Sequence, residues 1–240
     1  MSISQITEKF LIYIKNICKI SPYSIVSLGP NCYPKTVLTR TGLIKRKRQG
    51  RPTMPFDLAW YHKAEYITEF LKTDFDKFLV DLKYSEFSGS WDNGTKINFS
   101  HEAYIGPTEK HRLIQVYRQR INNFRIEMKS DKPVLFLQIF KDAKVGQDCA
   151  ETYKALQELC GERKFVYVVI DCIGVLDNVN LPSEIFSKKM PYPIEDTSDL
   201  TVFSKEFYES PEGISFEQSI ADYISQIIID EFAMTPIKYL

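Results

Sequence analysis

Apolar positions along this chain follow two alternating periods. Ile6, Phe10, Tyr13, Ile14 and Ile17 recur at helical spacing and predict an amphipathic N-terminal helix over about residues 4–19. Ser24 to Leu28 reads as a short strand. Cys32 to Leu43 reads as a helix, in which Pro34 is tolerated because it falls in the first turn. Helical stretches around Ala64 to Lys72 and Asp74 to Leu82 predict a helical insertion over about residues 62–83. Ser85 to Gly94 is turn-rich, and Thr95 to Ser100 alternates like a strand. Thr108 suits the N-cap of a long helix whose Leu113, Tyr117, Ile121, Phe124 and Met128 share a face. Pro133 to Phe140 and Lys164 to Asp171 are continuous β-branched and aromatic runs, the pattern of strands buried on both faces. Asp148 to Cys160 supplies a helix between them. Pro182 to Asp199, with three prolines, reads as a surface loop, Leu200 to Phe203 as a last short strand, and Ser215 to Ile229 as a closing helix.

Strands separated by helices of this length predict an α/β fold: a mostly parallel sheet flanked by helices on both faces, in one domain spanning residues 1–240. Ligands of such sheets sit beyond the carboxyl ends of the strands. The chain has 240 residues, 44% of them apolar and 26% charged, which is the composition of a soluble globular protein. Lys plus Arg equals Asp plus Glu at 31 each, so no global field favours nucleic acid or a membrane surface as partner. Five cysteines, with no Cys-x-x-Cys pair, predict reduced thiols in a cytoplasmic setting and argue against structural zinc. No secretory signal is expected from the N-terminus, where Lys15 and Lys19 interrupt the apolar residues. Neither Gly-x-Gly-x-x-Gly nor a P-loop is present, so no cofactor is expected.

The chemistry concentrates at Ser27-Leu28-Gly29-Pro30-Asn31-Cys32, a strand, a turn and a cysteine at the start of a helix. Free N–H groups and the helix dipole there favour an anion, either a thiolate or a bound phosphate or carboxylate. The turn also admits an inert, packed cysteine. His101 is the best-placed base for Cys32, because it follows a strand, while His62 and His111 read as surface residues. Asp57 is the first choice for the carboxylate that orients the imidazole, with Glu102, Asn31 and Asp171 as alternatives. Gly29, Asn31, Trp60 and Glu102 are candidates for substrate contacts, and Asn31 also for an oxyanion donor. Trp60, Tyr61 and Trp91 fall in irregular segments where an exposed ring can stack on a ligand. Lys45 to Arg51 places five cations in seven residues, either as a solvated loop or folded back toward an anionic substrate. Arg112, Arg118, Arg120 and Arg125 are expected mostly on the solvent face of the long helix.

Ser27-Leu28-Gly29-Pro30-Asn31-Cys32, Pro55-Phe56-Asp57, Phe99-Ser100-His101 and Tyr117-Arg118-Gln119-Arg120-Ile121 resemble the ordered motifs of a little-studied family of papain-like cysteine peptidases. The similarity runs from about Tyr23 to Phe140. It implies Cys32 as nucleophile and His101 as its base, and it brings a papain-like α+β frame as the alternative fold. In that family Trp usually follows Pro-Phe-Asp and Asp follows the histidine; here Leu58 and Glu102 stand in those places. The expected activity is that of a Cys–His thiol hydrolase or acyltransferase acting on an amide or acyl substrate. The alternatives are a nucleotide, phosphosugar or other anion-binding protein using the Gly29–Cys32 turn, and a catalytically inert interaction protein. Expected partners are a protein, a peptide or a small anionic substrate, with neither membrane nor nucleic acid among them.

Overall fold

A computed structural model describes residues 21–61, 63, 65–94, 96–140, 149–194 and 204–239. The expected helix over 4–19, the strand over 200–203, Cys18 and His62 lie outside these residues. In chain order the described elements are β1 (Ser24–Ser27), α1 (Tyr33–Arg40), β2 (Trp60–Tyr61), α2 (Glu65–Lys72), β3 (Lys83–Ser85), β4 (Ser90–Asp92), β5 (Ile97–Asn98), α3 (Lys110–Met128), β6 (Val134–Phe140), α4 (Cys149–Cys160), β7 (Phe165–Asp171), β8 (Ile185–Lys189), α5 (Lys205–Tyr208) and α6 (Pro211–Phe232).

Two sheets result. β1, β6, β7 and β8 lie side by side in that order, all parallel, with Ser24 opposite Val134, Val134 opposite Phe165 and Tyr167 opposite Ile185. Every residue of β6 is buried, as the unbroken apolar run requires of a central strand. Side chains on one face, including Leu135, Leu137, Val168 and Ile170, pack with Val37 and Leu38 of α1 and with Ile220, Ile224 and Ile228 of α6. Those on the other, including Phe136, Phe140 and Val169, join a cluster with Phe70 of α2, Tyr117 and Phe124 of α3 and Leu156 of α4. The second sheet is antiparallel, ordered β2-β5-β4-β3, and its Tyr61, Trp91 and Ile97 belong to that second cluster.

The fold is thus α/β, but a mostly parallel sheet describes only one of its two sheets. The antiparallel strands are two or three residues long, too short to show a period of two in the sequence. The helix bearing Cys32 packs on the parallel sheet, not on the antiparallel one as a papain-like frame implies.

Three local expectations change. Asp74 to Leu82 forms turns and not a helix, with Asp74, Phe75 and Asp81 in the left-handed region at φ 46°, 67° and 53°. That route turns the buried rings of Phe75 and Phe78 inward against each other and their neighbours. Ile185 to Lys189, expected as loop, is an edge strand whose exposed Ser187, Lys188 and Lys189 are polar, a pattern that discourages further pairing. Glu109 and not Thr108 is the N-cap residue of the long helix, and its carboxylate caps no helical N–H but accepts the Gly106 N–H at 3.1 Å. Among the described residues no helix is long and apolar enough to cross a membrane.

Phe56 links the pieces, its ring centroid 5.6 Å from Tyr61, 5.4 Å from Phe75 and 5.8 Å from Phe124. Phe56→Ala is expected to cost about 3–5 kcal/mol in urea denaturation, the range for emptying a packed aromatic site. A loss under about 1 kcal/mol would mean that this ring does not join the antiparallel sheet to α3.

Candidate functional site

β1 continues past Ser27 by one more ladder bond, from Leu28 N–H to Leu137 O at 2.8 Å, and the chain then leaves the sheet at Gly29. A Cβ on Gly29 would lie 2.3 Å from Pro34 Cγ and 2.5 Å from its Cδ. The glycine therefore makes room for the Pro34 ring. Asn31 is buried, and its Oδ1 accepts the Tyr33 N–H at 2.9 Å, which satisfies one of the open donors of α1. Cys32 is the N-cap residue, partly exposed, and its side chain makes no capping bond. Its carbonyl accepts the Thr36 N–H at 3.0 Å and the Thr36 hydroxyl at 2.8 Å. With Tyr33 N–H engaged and Pro34 lacking one, the first turn keeps few donors for a phosphate.

Asp57 is fully buried at the end of the Pro55–Asp57 turn. Its carboxylate accepts Ser27 Oγ at 2.7 Å, the Met54 N–H at 2.8 Å and Arg51 Nη1 at 2.7 Å. Burial opposes ionisation, but the Arg51 charge and these hydrogen bonds outweigh it and hold the carboxyl below the ordinary aspartate value. The basic loop therefore does fold inward at Arg51. Gln49, buried, accepts the Arg46 N–H at 2.7 Å, and Gly50 turns the chain at φ 88°.

A second buried ion pair joins Glu102, in the turn after β5, to α3. Glu102 accepts the Tyr117 hydroxyl at 2.8 Å and Arg120 Nη2 at 2.5 Å. Arg120 is thus not solvent-facing, unlike the exposed Arg112, Arg118 and Arg125. The sequence carried a signal for this: Arg120 falls between Tyr117, Ile121 and Phe124 on the apolar face. Tyr61 Oη, without a hydrogen-bond partner among the described residues, is influenced by both pairs. Burial first, then the Asp57 charge, pushes its pKa well above the ordinary phenol value.

His101 follows β5 and stands in a single helical turn over Ser100–Glu102. It follows a strand of the antiparallel sheet, not one of the parallel sheet whose first strand leads to Cys32. Tyr61 N–H donates to Pro30 O at 2.6 Å, and Trp60 and Tyr61 pair with Asn98 and Ile97. His101 is accessible, yet its neighbours desolvate it in part. That desolvation, with the Lys35 and Arg120 charges, outweighs the pull of Glu102 and lowers its pKa. Lys35 belongs to the first turn of α1, three residues after Cys32. Among the described residues the His101 ring makes no hydrogen bond.

The remaining candidates have structural surroundings. Trp60 is half-buried in β2, Tyr61 is fully buried, and Trp91 is buried with its Nε1–H donating to Ile105 O at 3.1 Å. Neither Tyr61 nor Trp91 offers an exposed ring. Asp171 is buried and accepts four backbone N–H groups, from Ile173, Gly174, Val175 and Leu176, at 2.8–3.2 Å. His111 is exposed. Among the described residues no three His, Cys, Asp or Glu side chains gather as metal ligands do. A cavity of about 280 Å³ opens at the amino edge of the parallel sheet, between Tyr23, Ser24, Arg51 and Lys132, away from Cys32.

The four motif segments are thus joined in series: Ser27 to Asp57, Pro30 to Tyr61, Trp60 to Asn98, and Glu102 to Tyr117 and Arg120. No family model matches the chain, and no curated protein or solved structure is significantly similar to it.

Asp57→Asn is expected to destabilise the fold by about 3–5 kcal/mol, because it leaves the Arg51 guanidinium buried opposite a neutral group. The double variant Arg51→Met, Asp57→Leu should recover much of that loss, since it removes both charges. The folded-state pKa of Asp57 is depressed, so the stabilisation by this pair is full above the unfolded value of 3.8. It fades as pH falls below that value through the folded one. Urea denaturation from pH 7 to pH 2 reads both effects. An Asp57→Asn variant with unchanged stability and unchanged acid sensitivity would contradict the assignment.

Proposed function

We propose that this chain is a thiol-dependent hydrolase or acyltransferase in which Cys32 is the nucleophile and His101 the general base. Two observations support it: Cys32 is the partly exposed N-cap residue of α1, and desolvation first, then the Lys35 charge in the first turn of that helix, lowers the His101 pKa. A histidine with a lowered pKa is neutral at pH 7 and able to accept the thiol proton. In this reading the Cys32 thiolate attacks the carbonyl carbon of an amide or ester. The tetrahedral oxyanion collapses, and the leaving group departs with the proton held by His101. The resulting thioester passes its acyl group to water or to a second nucleophile. Only Nδ2 of the Asn31 amide can donate to an oxyanion, while its Oδ1 accepts the Tyr33 N–H. Asp57 serves as a positioning residue: it fixes the strand end that leads to Cys32 and does not orient the imidazole.

The local geometry favours this reading over a phosphate cradle at Gly29–Cys32. The space beside Gly29 is filled by Pro34, and the donors of Tyr33 and Pro34 are, respectively, engaged and absent.

Native labelling with iodoacetamide, read by mass spectrometry, tests the proposal. Cys32 should react at least about tenfold faster than the others at pH 7, as expected for a thiol whose pKa lies a unit or more lower. Cys149 and Cys172 are buried, and burial pushes the Cys160 thiol up to about 11. His101→Ala and Lys35→Glu should each slow Cys32 labelling. Labelling of Cys32 no faster than Cys160 would overturn the proposal.

A further inference from the structure

The loop that follows α1 does more than supply Arg51 to Asp57. Together with α3 it walls a groove of about 480 Å³, lined by Lys47, Arg51, Tyr104, Gln119, Arg120 and Asn123 among others. That is a volume suited to a small metabolite. Both guanidiniums are held from behind by buried carboxylates, Arg51 by Asp57 and Arg120 by Glu102. Their orientation is therefore set before any ligand arrives. Arg120 is only 8% exposed, its guanidinium lies 4.4 Å over the Tyr117 ring, and its Nη1 has no hydrogen-bond partner among the described residues. A buried charged donor left unpaired is costly, and an oxyanion is the ligand that best satisfies it.

The rest of the lining is also fixed. Gln119 Nε2 donates to Asn123 Oδ1 at 2.9 Å, and Asn123 Nδ2 donates to Thr53 O at 3.0 Å, which ties α3 to the loop. Lys47 sits exposed in the single helical turn Lys47–Gln49, which the buried Gln49 side chain holds against the Arg46 N–H. One exposed cation at the rim and two guanidinium forks inside suit an oxyanion of more than one negative charge, and a phosphate carries more charge than a carboxylate. We propose that this groove binds the phosphate group of a small phosphorylated metabolite, between Lys47 of the basic loop and Arg51 and Arg120 inside. The site is separate from the Cys32 turn and does not require thiol chemistry.

Isothermal titration of the full chain with inorganic phosphate and with ribose 5-phosphate, at constant ionic strength, tests this. Both probes should bind with one site, and ribose 5-phosphate more tightly, because the groove has room for more than the phosphate. Lys47→Glu and Gln119→Glu alter exposed side chains and leave both buried ion pairs in place. Each should weaken ribose 5-phosphate by at least about tenfold, the size of one lost charge-assisted contact. Cys32→Ala should bind both probes as the parent does, so a failed thiol reading leaves this result standing. The proposal is overturned if neither probe binds, or if affinity is unchanged in Lys47→Glu and Gln119→Glu. It is equally overturned if Lys35→Glu abolishes binding while those two variants do not, which would place the anion at the start of α1.

Discussion

The carboxylate of Asp57 is the group on which the arrangement depends. A fully buried charge must find its partners inside the protein, and here they come from three directions: the end of β1, the basic loop and the backbone of its own turn. Ser27 cannot slip along β6 without losing the first, and Arg51 cannot return to solvent without stranding the second. A pair of this kind adds little net stability compared with apolar side chains of the same size. Its effect is to select one geometry among several that would bury the same hydrophobic surface. The position of Cys32, five residues beyond Ser27, is set by that selection together with the packing of Pro34 into the space beside Gly29.

The Glu102–Arg120 pair repeats the device at the other end of the motif series. Between the two pairs stand Tyr61, Phe56, Phe78, Phe99 and Tyr117, whose rings contact one another in edge-on and tilted pairs. Two charged pairs set the registry and an aromatic cluster fills the space between them. The small antiparallel sheet is held against the parallel one by this packing and by the backbone bond from Tyr61 to Pro30, in the turn that follows β1.

The long elements were legible in the sequence because their period is carried by many residues. β6, β7, α3, α4 and α6 all fall where the apolar pattern places them, with ends moved by a few residues. The antiparallel sheet was not legible. Trp60–Tyr61 and Ile97–Asn98 are each one paired step long, and no local pattern distinguishes such a step from a turn. Asp74 and Phe75 defeated the helical reading because left-handed backbone at non-glycine residues leaves no compositional mark. Within the site, Cys32 at a strand-to-helix junction was readable from Gly29, Pro30 and Pro34 alone. The partners of Asp57 and Glu102 were not, since each lies across the fold and a sequence shows charge without showing pairing. Asp171 illustrates the converse. A carboxylate at a strand end suggested chemistry, and it proves to close the following turn by accepting its backbone N–H groups.

The groove proposal draws on guanidiniums placed by buried carboxylates before a ligand is met, and the thiol proposal on charge at the start of α1. For the proposed thiol chemistry the relevant charges are Lys35 and the start of α1, next to the partly exposed Cys32. The ionisation of its sulfur is the quantity that most directly separates a nucleophile from a packed cysteine. It is read from the thiolate absorbance of the native protein between pH 4 and pH 10, as the difference between the parent chain and Cys32→Ser. The account predicts that Cys32 titrates at least about one unit below the ordinary cysteine value near 8.5. Titration at or above that value would contradict it.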